Sequence, residues 1–342
     1  MMKRLGILGA GRIGQVHARS LASLREAELA AVADAFPAAA DALAETYGAT
    51  VMSTEEIIAD PSIDAVVICT PTDTHFDLIH AAAAAGKAIF CEKPVDMSSD
   101  RIRQCIETVT KAGVTFLTAF NRRFDVNFAD IARRIGNGEI GEVELVMITS
   151  RDPSPPPISY IESSGGIFRD MMIHDFDMAN FLMGAAPVTV SAVGSAIVDP
   201  AIGEAGDVDT AVVTLTYADG RIAVIKNSRR AVYGYDQRVE VLGAEGLLQA
   251  QNMLENTVVK STTAGVTGAK PTYFFLERYM PAYKAEWAAF VAAAKGKTDM
   301  PVNLHDGVAA LAMAEAATRS KASGQPVEMK SVLNGSGREE AA

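Results

Sequence analysis

Three ionisable residues occur at helical spacing within the segment 165–177. Asp170, His174 and Asp177 stand at i, i+4 and i+7, so a helix predicted over 167–183 places them on one face. The residues between them are mostly apolar, and burying three ionisable groups is costly unless they have a function. A histidine beside a carboxylate is suited to acid–base catalysis. A polar stripe facing solvent is the alternative, and no metal is expected because a cysteine or second well-spaced histidine is missing.

A glycine-rich turn near the start predicts a dinucleotide site. The motif G-x-G-x-x-G follows a predicted strand and opens a predicted helix, and it consists of Gly9, Ala10, Gly11, Arg12, Ile13 and Gly14. The glycines permit a tight turn and a close approach to a pyrophosphate, which binds at the helix N-terminus. Asp34 ends the next strand and is expected to accept hydrogen bonds from the adenosine ribose. Since no Arg or Lys directly follows Asp34, NAD is favoured over NADP.

Two further polar segments end neighbouring apolar runs. Glu92-Lys93-Pro94 follows one run, and Thr70-Pro71 ends another, with His75 shortly beyond it. The carboxyl ends of parallel strands line the ligand cleft of an open α/β sheet, so Lys93 is expected at the cleft and not as an ordinary surface lysine. Thr70 and Pro71 are expected beside the nicotinamide. For His75, a place beside the cofactor and a solvent-facing place at a helix start are equally compatible with the sequence.

The elements that position these residues form an alternating βαβα pattern over residues 3–120. Its apolar runs read as strands buried on both faces of a parallel sheet, and they are Arg4–Leu8, Leu29–Ala33, Ala65–Thr70, Ala88–Cys91 and Val114–Ala119. Helices are predicted between them over 12–24, 37–47, 73–85 and 98–112. The pattern predicts a Rossmann domain over 1–120. The remaining histidines, His17, His80 and His305, are interpreted as ordinary residues of helix surfaces.

The second half has a different pattern. A helix is predicted over 125–136, a strand over Glu142–Thr149, and two closing helices over about 275–295 and 305–322. Between 188 and 260 the sequence alternates as in antiparallel strands, and the predicted strands are Thr189–Ile197, Asp209–Tyr217, Arg221–Asn227, Gln237–Leu242, Leu247–Gln251 and Thr257–Ser261. These features predict an α/β domain over 121–333 with a large, open, mainly antiparallel sheet, followed by a flexible tail at 334–342. An open sheet face needs cover, which favours a homo-oligomer.

Composition excludes several classes of partner. The 342 residues carry 31 Lys plus Arg against 42 Asp plus Glu, and this net charge of −11 disfavours nucleic acid and anionic membranes. The sequence contains no window of 18 uncharged apolar residues, so no membrane-spanning helix is predicted. The three cysteines form no C-x-x-C pair, which fits a reducing cytoplasm better than a disulfide framework.

Several long strings together resemble the Gfo/Idh/MocA oxidoreductases along the whole chain. They are GAGRIG at the start, EKP at 92–94 and GGIFRDMMIHDFD at 165–177. Three further segments resemble the inositol dehydrogenases of that family, namely AFNRRFDVNF (119–128), TSRDPSPPP (149–157) and PTYFFLERYMPAY (271–283). The resemblance implies an NAD-binding Rossmann domain followed by an α/β domain with a large open sheet, no metal, and a homotetramer formed through that sheet.

The resemblance also assigns roles to residues. The catalytic set of the family falls on Lys93, Asp170 and His174, and Glu92, Arg12, Ile13 and His75 join the residues expected at the cofactor. The expected substrate residues are Asn121, Arg122, Arg123, Asp152, Asp170, His174, Asp177 and Tyr235. The choice between Arg122 and Arg123 stays open, as does that between Tyr235 and Tyr233.

The activity that the resemblance implies is the NAD-dependent oxidation of myo-inositol to 2-keto-myo-inositol (scyllo-inosose), and the cysteine content favours the cytoplasm. The alternatives are a dehydrogenase of another inositol isomer or of a sugar, an NAD-using glycoside hydrolase on the same scaffold, and a non-catalytic NAD-dependent sensor. Sensors of this family tend to lose the lysine or the histidine, whereas Lys93 and His174 are both present.

Overall fold

The structure is a computed structural model, and it describes residues 2–333. The predicted flexible tail at 334–342 lies outside the described residues. Two compact units are present: one comprises residues up to Phe124 together with Met280–Ala309, and the other comprises Asp125–Tyr279 together with the residues after Ala309. The domain boundary at residue 120 stays a prediction. The compact units differ from the predicted domains because residues 280–309 belong to the first unit and not to the second. Within residues 2–333, no helix is long and apolar enough to cross a bilayer.

The first unit is built on a six-stranded parallel sheet. Its strands are β1 (Lys3–Leu8), β2 (Ala27–Ala33), β3 (Thr50–Val51), β4 (Ala65–Ile68), β5 (Ala88–Cys91) and β6 (Phe116–Thr118). They lie in the order β3-β2-β1-β4-β5-β6, so the order reverses between β1 and β4. That reversal is the topological switch point at which open α/β sheets bind ligands. The predicted Rossmann fold is confirmed.

Helices cover this sheet and complete its core. They are α1 (Arg12–Leu21), α2 (Pro37–Tyr47), α3 (Thr54–Ala59), α4 (Thr72–Ala84), α5 (Ser99–Ala112) and, much later in the chain, α12 (Met280–Ala294). Helix α1 ends at Leu21, three residues before its predicted end. A core cluster joins Leu5, Ile7 and Phe90 to Trp287 and Phe290 of α12. A helix from the end of the chain therefore fills the core of the first unit.

The second unit contains a seven-stranded mixed sheet. Its strands are β7 (Val143–Arg151), β8 (Thr189–Ser195), β9 (Thr210–Thr216), β10 (Ile222–Ser228), β11 (Asp236–Gly243), β12 (Gly246–Ala250) and β15 (Val327–Glu328). The order is β12-β11-β7-β10-β9-β8-β15, and only the β7–β10 pair is parallel. This confirms the predicted mainly antiparallel sheet. The predicted strand Thr257–Ser261 is not part of it, because β13 (Val259–Thr262) pairs with β14 (Gly265–Gly268) in a separate hairpin.

The other helices all follow β6 in the sequence, and most belong to the second unit, whereas the 3-10 helix and the start of α13 belong to the first. They are α6 (Val126–Gly136), α7 (Ile158–Ser164), α8 (Gly166–Asp170), α9 (Ile173–Met183), α10 (Pro200–Glu204), α11 (Phe275–Arg278), α13 (Leu304–Ser323) and α14 (Met329–Leu333), with a 3-10 helix over Asn121–Phe124. The helix predicted over 275–295 is divided at Tyr279. The single helix predicted over 167–183 is wrong as well. The amide of Met172 bonds back five residues to the Ile167 carbonyl, and this wider turn separates α8 from α9.

Candidate active site

The glycine-rich turn has the geometry that a dinucleotide requires. Gly9 has a φ of 101°, and a Cβ there would lie 2.7 Å from the Cys69 carbonyl carbon, so the turn passes tightly against the end of β4. A Cβ on Gly14 would lie 2.0 Å from the Gly9 carbonyl oxygen, which enforces the close packing of α1 on β1. A Cβ on Gly11 would meet nothing within 4 Å, so this glycine borders open space. Glycine at these positions fits close contact with a pyrophosphate.

Asp34 follows β2 and is held in place by backbone amides. Its Oδ2 accepts from the Ala10 amide at 2.6 Å, and its Oδ1 accepts from the Phe36 amide at 2.8 Å. A carboxylate offers about four lone-pair sites, so Asp34 can still accept hydrogen bonds from two ribose hydroxyls. The turn and Asp34 therefore fit NAD.

Replacing Asp34 by serine is expected to raise the kcat/KM ratio of NADP⁺ to NAD⁺ about 10- to 100-fold, because one charge-assisted hydrogen bond and one repulsion of a 2′-phosphate are lost. Initial rates with each cofactor measure the ratio. Asp41→Ser, at an exposed position of α2, is the matched control and should leave the ratio unchanged. An unaltered ratio in Asp34→Ser would remove this residue from the ribose site.

The loops after β4 and β5 are joined by His75. Its Nε2 lies 2.9 Å from the Thr70 carbonyl oxygen, and its Nδ1 lies 3.0 Å from the Pro94 carbonyl oxygen. His75 is 1% exposed, so the solvent-facing interpretation is wrong. The Lys93–Pro94 peptide bond is cis. Thr70, Pro71 and the half-buried Lys93 all lie at the carboxyl ends of adjacent parallel strands, as the sequence predicted.

Glu92 and a histidine that the sequence analysis misplaced form a buried pair. Glu92 Oε1 lies 2.7 Å from Nε2 of His17, and its Oε2 accepts from the Lys93 amide at 3.1 Å. His17 is fully buried, so its interpretation as a helix-surface residue is wrong. The error has a physical cause: α12, which covers this face of α1, is about 270 residues away in the sequence.

The two candidate arginines occupy the 3-10 helix after β6. Asn121, Arg122 and Arg123 are all buried. Arg123 donates to Asp306 Oδ1 at 2.7 Å and to the Pro301 carbonyl oxygen at 3.2 Å, and both partners belong to the first unit.

In the second unit, Asp170 and His174 stand on different helices. Asp170 ends α8, while His174 lies in the first turn of α9 and Asp177 one turn further on. The expected single helical face is therefore wrong, because the turn at Met171–Met172 separates Asp170 from the other two residues. His174 is half-buried and Asp177 is 1% exposed.

Asp170 is surrounded by donors. The Tyr160 hydroxyl donates to its Oδ1 at 2.8 Å, and Arg229 lies 3.4 and 3.5 Å from its Oδ2. Burial and the Asp170 carboxylate raise the pKa of Tyr160, which keeps this hydroxyl protonated. Arg229 is 1% exposed and also lies 3.6 Å from Asp207. Sequence reasoning missed both donors, because neither stands at a helical or strand spacing from Asp170.

Arg229→Met is expected to lower the free energy of unfolding by about 3 kcal/mol, because two partly buried carboxylates lose their shared cation. Chemical denaturation measures the change. The neighbouring Arg230→Met, at an exposed position, should change stability by less than about 0.5 kcal/mol. Equal stabilities of the two variants would show that Arg229 does not hold this carboxylate pair.

The remaining candidates of the second unit lie along β7 and β11. Asp152 follows β7, and its carbonyl oxygen accepts from the Ala231 amide at 2.7 Å. Tyr235 is buried and packs edge-to-face on Phe274 and Tyr279. The hydroxyl of Tyr233 forms two hydrogen bonds: it donates to Asp236 at 2.6 Å and accepts from Arg151 at 2.7 Å.

A fully buried carboxylate beside His174 also escaped the sequence analysis. Asp175 accepts from the Ser150 hydroxyl at 2.5 Å and from the Asn227 amide at 2.8 Å. These two hydrogen bonds link the start of α9 to β7 and β10. Within residues 2–333, no group of three His, Cys, Asp or Glu side chains is arranged to hold a metal ion.

The fold and the nucleotide turn together define a dinucleotide-binding Rossmann protein. Residues 3–120 match the oxidoreductase family GFO_IDH_MocA, NAD-binding Rossmann fold, and residues 132–329 match its C-terminal alpha/beta domain. The chain therefore belongs to the Gfo/Idh/MocA oxidoreductase family, as the resemblance implied, and it has an NAD-binding Rossmann domain.

Its relatives include inositol dehydrogenases over nearly the whole chain. The inositol 2-dehydrogenase of Rhizobium meliloti (strain 1021) is 52% identical over 94% of this chain and 98% of that protein. The myo-inositol dehydrogenase structure from Corynebacterium glutamicum has a TM-score of 0.92 at 43% identity, covering 96% of this chain and 99% of that one. The scyllo-inositol dehydrogenase of Lactobacillus casei, solved with NAD(H) and scyllo-inositol, has a TM-score of 0.90 at 28% identity, covering 96% and 100%.

Proposed function

We propose that this protein is an NAD-dependent inositol 2-dehydrogenase that oxidises myo-inositol to 2-keto-myo-inositol. The observation that carries the proposal is the 52% identity to the inositol 2-dehydrogenase of Rhizobium meliloti over almost the full length of both chains. Lys93, Asp170 and His174, the residues that the chemistry needs, are all present.

Each of these three residues has a distinct role in the proposed chemistry. NAD⁺, when bound, supplies the acceptor for the hydride that leaves the carbinol carbon. Neutral His174 takes the proton of the substrate hydroxyl, and Asp170 stabilises the imidazolium that forms. Lys93 donates a hydrogen bond to the reacting oxygen and polarises it as the carbonyl develops. Tyr160 and Arg229 hold the Asp170 carboxylate in place from its two oxygens.

The other hydroxyls of the substrate need several polar partners. We assign this role to Asn121, Asp152 and Asp177, to Arg122 or Arg123, and to Tyr235 or Tyr233. Arg123 pairs with Asp306, and the Tyr233 hydroxyl contacts Asp236 and Arg151. A site with many paired donors and acceptors rejects stereoisomers whose hydroxyls leave those groups unpaired.

The competing substrate is scyllo-inositol, because the scyllo-inositol 2-dehydrogenase of Bacillus subtilis is 37% identical over 95% of this chain. The decisive experiment measures NADH formation with myo-, scyllo- and D-chiro-inositol and with glucose, each with NAD⁺ and NADP⁺. The highest kcat/KM is expected for myo-inositol with NAD⁺. A higher value for another polyol would change the substrate. A p-nitrophenyl glycoside is tested beside the panel, and its cleavage without net NADH formation would indicate the hydrolase.

A cytoplasmic homotetramer completes the proposal. Apolar side chains are exposed along the seven-stranded sheet, including Val193 at 66% and Val212 at 38%. All three cysteines are free thiols, in keeping with a reducing compartment. Light scattering should give four times the chain mass, and a monomeric mass would contradict this assembly. Cell fractionation tests the location.

A further inference from the structure

His17, Glu92 and Trp287 form a buried hydrogen-bonded chain in the first unit. The Trp287 indole N–H lies 3.1 Å from His17 Nδ1, and His17 Nε2 lies 2.7 Å from Glu92 Oε1. The other oxygen of Glu92 accepts from the amide of Lys93. Trp287 is the only tryptophan of the sequence, and both it and His17 are fully buried.

The direction of the hydrogen bonds from Trp287 through His17 to Glu92 follows from the chemistry of the indole. An indole nitrogen can only donate, so His17 Nδ1 must accept and carries no proton. The single proton of the neutral ring is therefore on Nε2, and it is donated to Glu92. Both Glu92 oxygens then act as acceptors, one for His17 and one for Lys93.

The surroundings of His17 are otherwise aromatic. Its ring centroid lies 4.8 Å from that of Phe90, 5.6 Å from Tyr283 and 5.7 Å from Trp287, all in edge-to-face arrangements. Phe90 and Trp287 are stacked at 4.4 Å. Polar groups in such a shell are costly unless each has its partner, so the ring and the carboxylate have one favourable orientation.

We propose that Trp287 and His17 are positioning residues for the reaction: they fix the Glu92 carboxylate, which in turn fixes the backbone of Lys93. The inference rests on the proposed role of Lys93 in inositol oxidation. Without the hydrogen bond from His17, the Glu92 carboxylate can rotate, and the loop that carries the Lys93 ammonium loses one of its anchors, the other being the bond of Pro94 to His75. Small displacements of a group that stabilises developing charge reduce kcat strongly.

Two amide variants of His17 separate its two hydrogen bonds. The amide nitrogen of His17→Gln occupies the place of Nε2 and can still donate to Glu92. The amide oxygen of His17→Asn occupies the place of Nδ1, so it can accept from Trp287 but cannot reach Glu92. We expect kcat for myo-inositol to be at least about tenfold lower in His17→Asn than in His17→Gln, with equal dissociation constants for NAD⁺. Equal kcat values would overturn the proposal, because only the glutamine keeps the hydrogen bond to Glu92.

Glu92→Gln gives a test that depends on the tautomer. If its amide oxygen faces His17, its NH₂ group faces the Lys93 amide. If the NH₂ group faces His17, the ring must move its proton to Nδ1, which then faces the Trp287 N–H. Two donors oppose each other either way, so kcat should fall by at least about tenfold. In a Trp287→Phe background the second orientation is relieved, and the same change should cost a smaller factor. An equal or larger factor would contradict the donor order.

Nitrogen NMR of ¹⁵N-histidine-labelled protein reads the tautomer without any activity. The His17 signals are identified by their loss in His17→Gln. They should show protonated Nε2 and unprotonated Nδ1, and the reverse pattern would overturn the inference. If the wild-type protein oxidises no polyol, the proposed function fails while the NMR result still stands, so the two failures are distinguishable.

Discussion

Replacing His174 by asparagine is expected to lower kcat for inositol oxidation by about 10²- to 10⁴-fold, the usual contribution of a positioned general base. The amide keeps a polar atom near the position of the ring Nδ1 but cannot take the proton of the substrate hydroxyl. Binding of NAD⁺ should be unchanged, because the cofactor turn lies in the first unit, whereas His174 lies in the first turn of α9 in the second unit. Stopped-flow measurement of NADH formation gives kcat, and fluorescence titration gives the dissociation constant of NAD⁺.

The matched control for this variant is His305→Asn, which makes the same change at an exposed histidine. Its kcat should equal that of the wild-type protein. If His174→Asn also retained near-normal turnover with myo-inositol and with every other polyol of the panel, His174 would not be the base.

Lys93→Met is expected to have an effect of similar size, about 10²- to 10³-fold on kcat. Methionine retains an apolar stem but loses the ammonium group that polarises the reacting oxygen. The backbone amide of residue 93 is unaltered, so its bond to Glu92 should persist and the protein should keep its melting temperature. Steady-state kinetics and thermal unfolding check the two expectations.

A control for Lys93→Met is Lys111→Met, at an exposed position of α5 in the same unit. This variant should be fully active. A normal kcat in Lys93→Met would assign the polarising role to another donor, whereas a large fall in melting temperature would show that the ammonium group serves stability instead.

The sequence was informative where the local pattern alone decides the structure. The exact bounds of β5 and α2 were predicted, because a short apolar run and a Pro-led helix can be recognised from their own residues. Strand β3 was missed because Thr50 and Val51 are both exposed and form no apolar run. The glycine-rich turn and Asp34 were predictable for the same reason as β5, since strand, turn and helix follow one another directly.

The errors arose where distant parts of the chain decide the environment. His17 reads as a surface residue until Trp287 covers it, and Arg229 is 59 positions from the Asp170 that it contacts. The division between α8 and α9 also has no proline or central glycine to announce it. Long-range packing cannot be inferred from the spacing of residues along one segment.

The late position of α12 has a consequence for synthesis on the ribosome. Trp287, Phe290 and Val291 belong to the same core as the first strands, yet they are made more than 150 residues after Phe124. At 5–20 residues per second, about 8 to 30 seconds pass between the synthesis of Phe124 and the synthesis of α12. During that interval, Leu5, Ile7 and Phe90 lack part of their cover. Nascent chains shorter than about 290 residues should therefore bind chaperones, and added NAD should not stabilise them against unfolding.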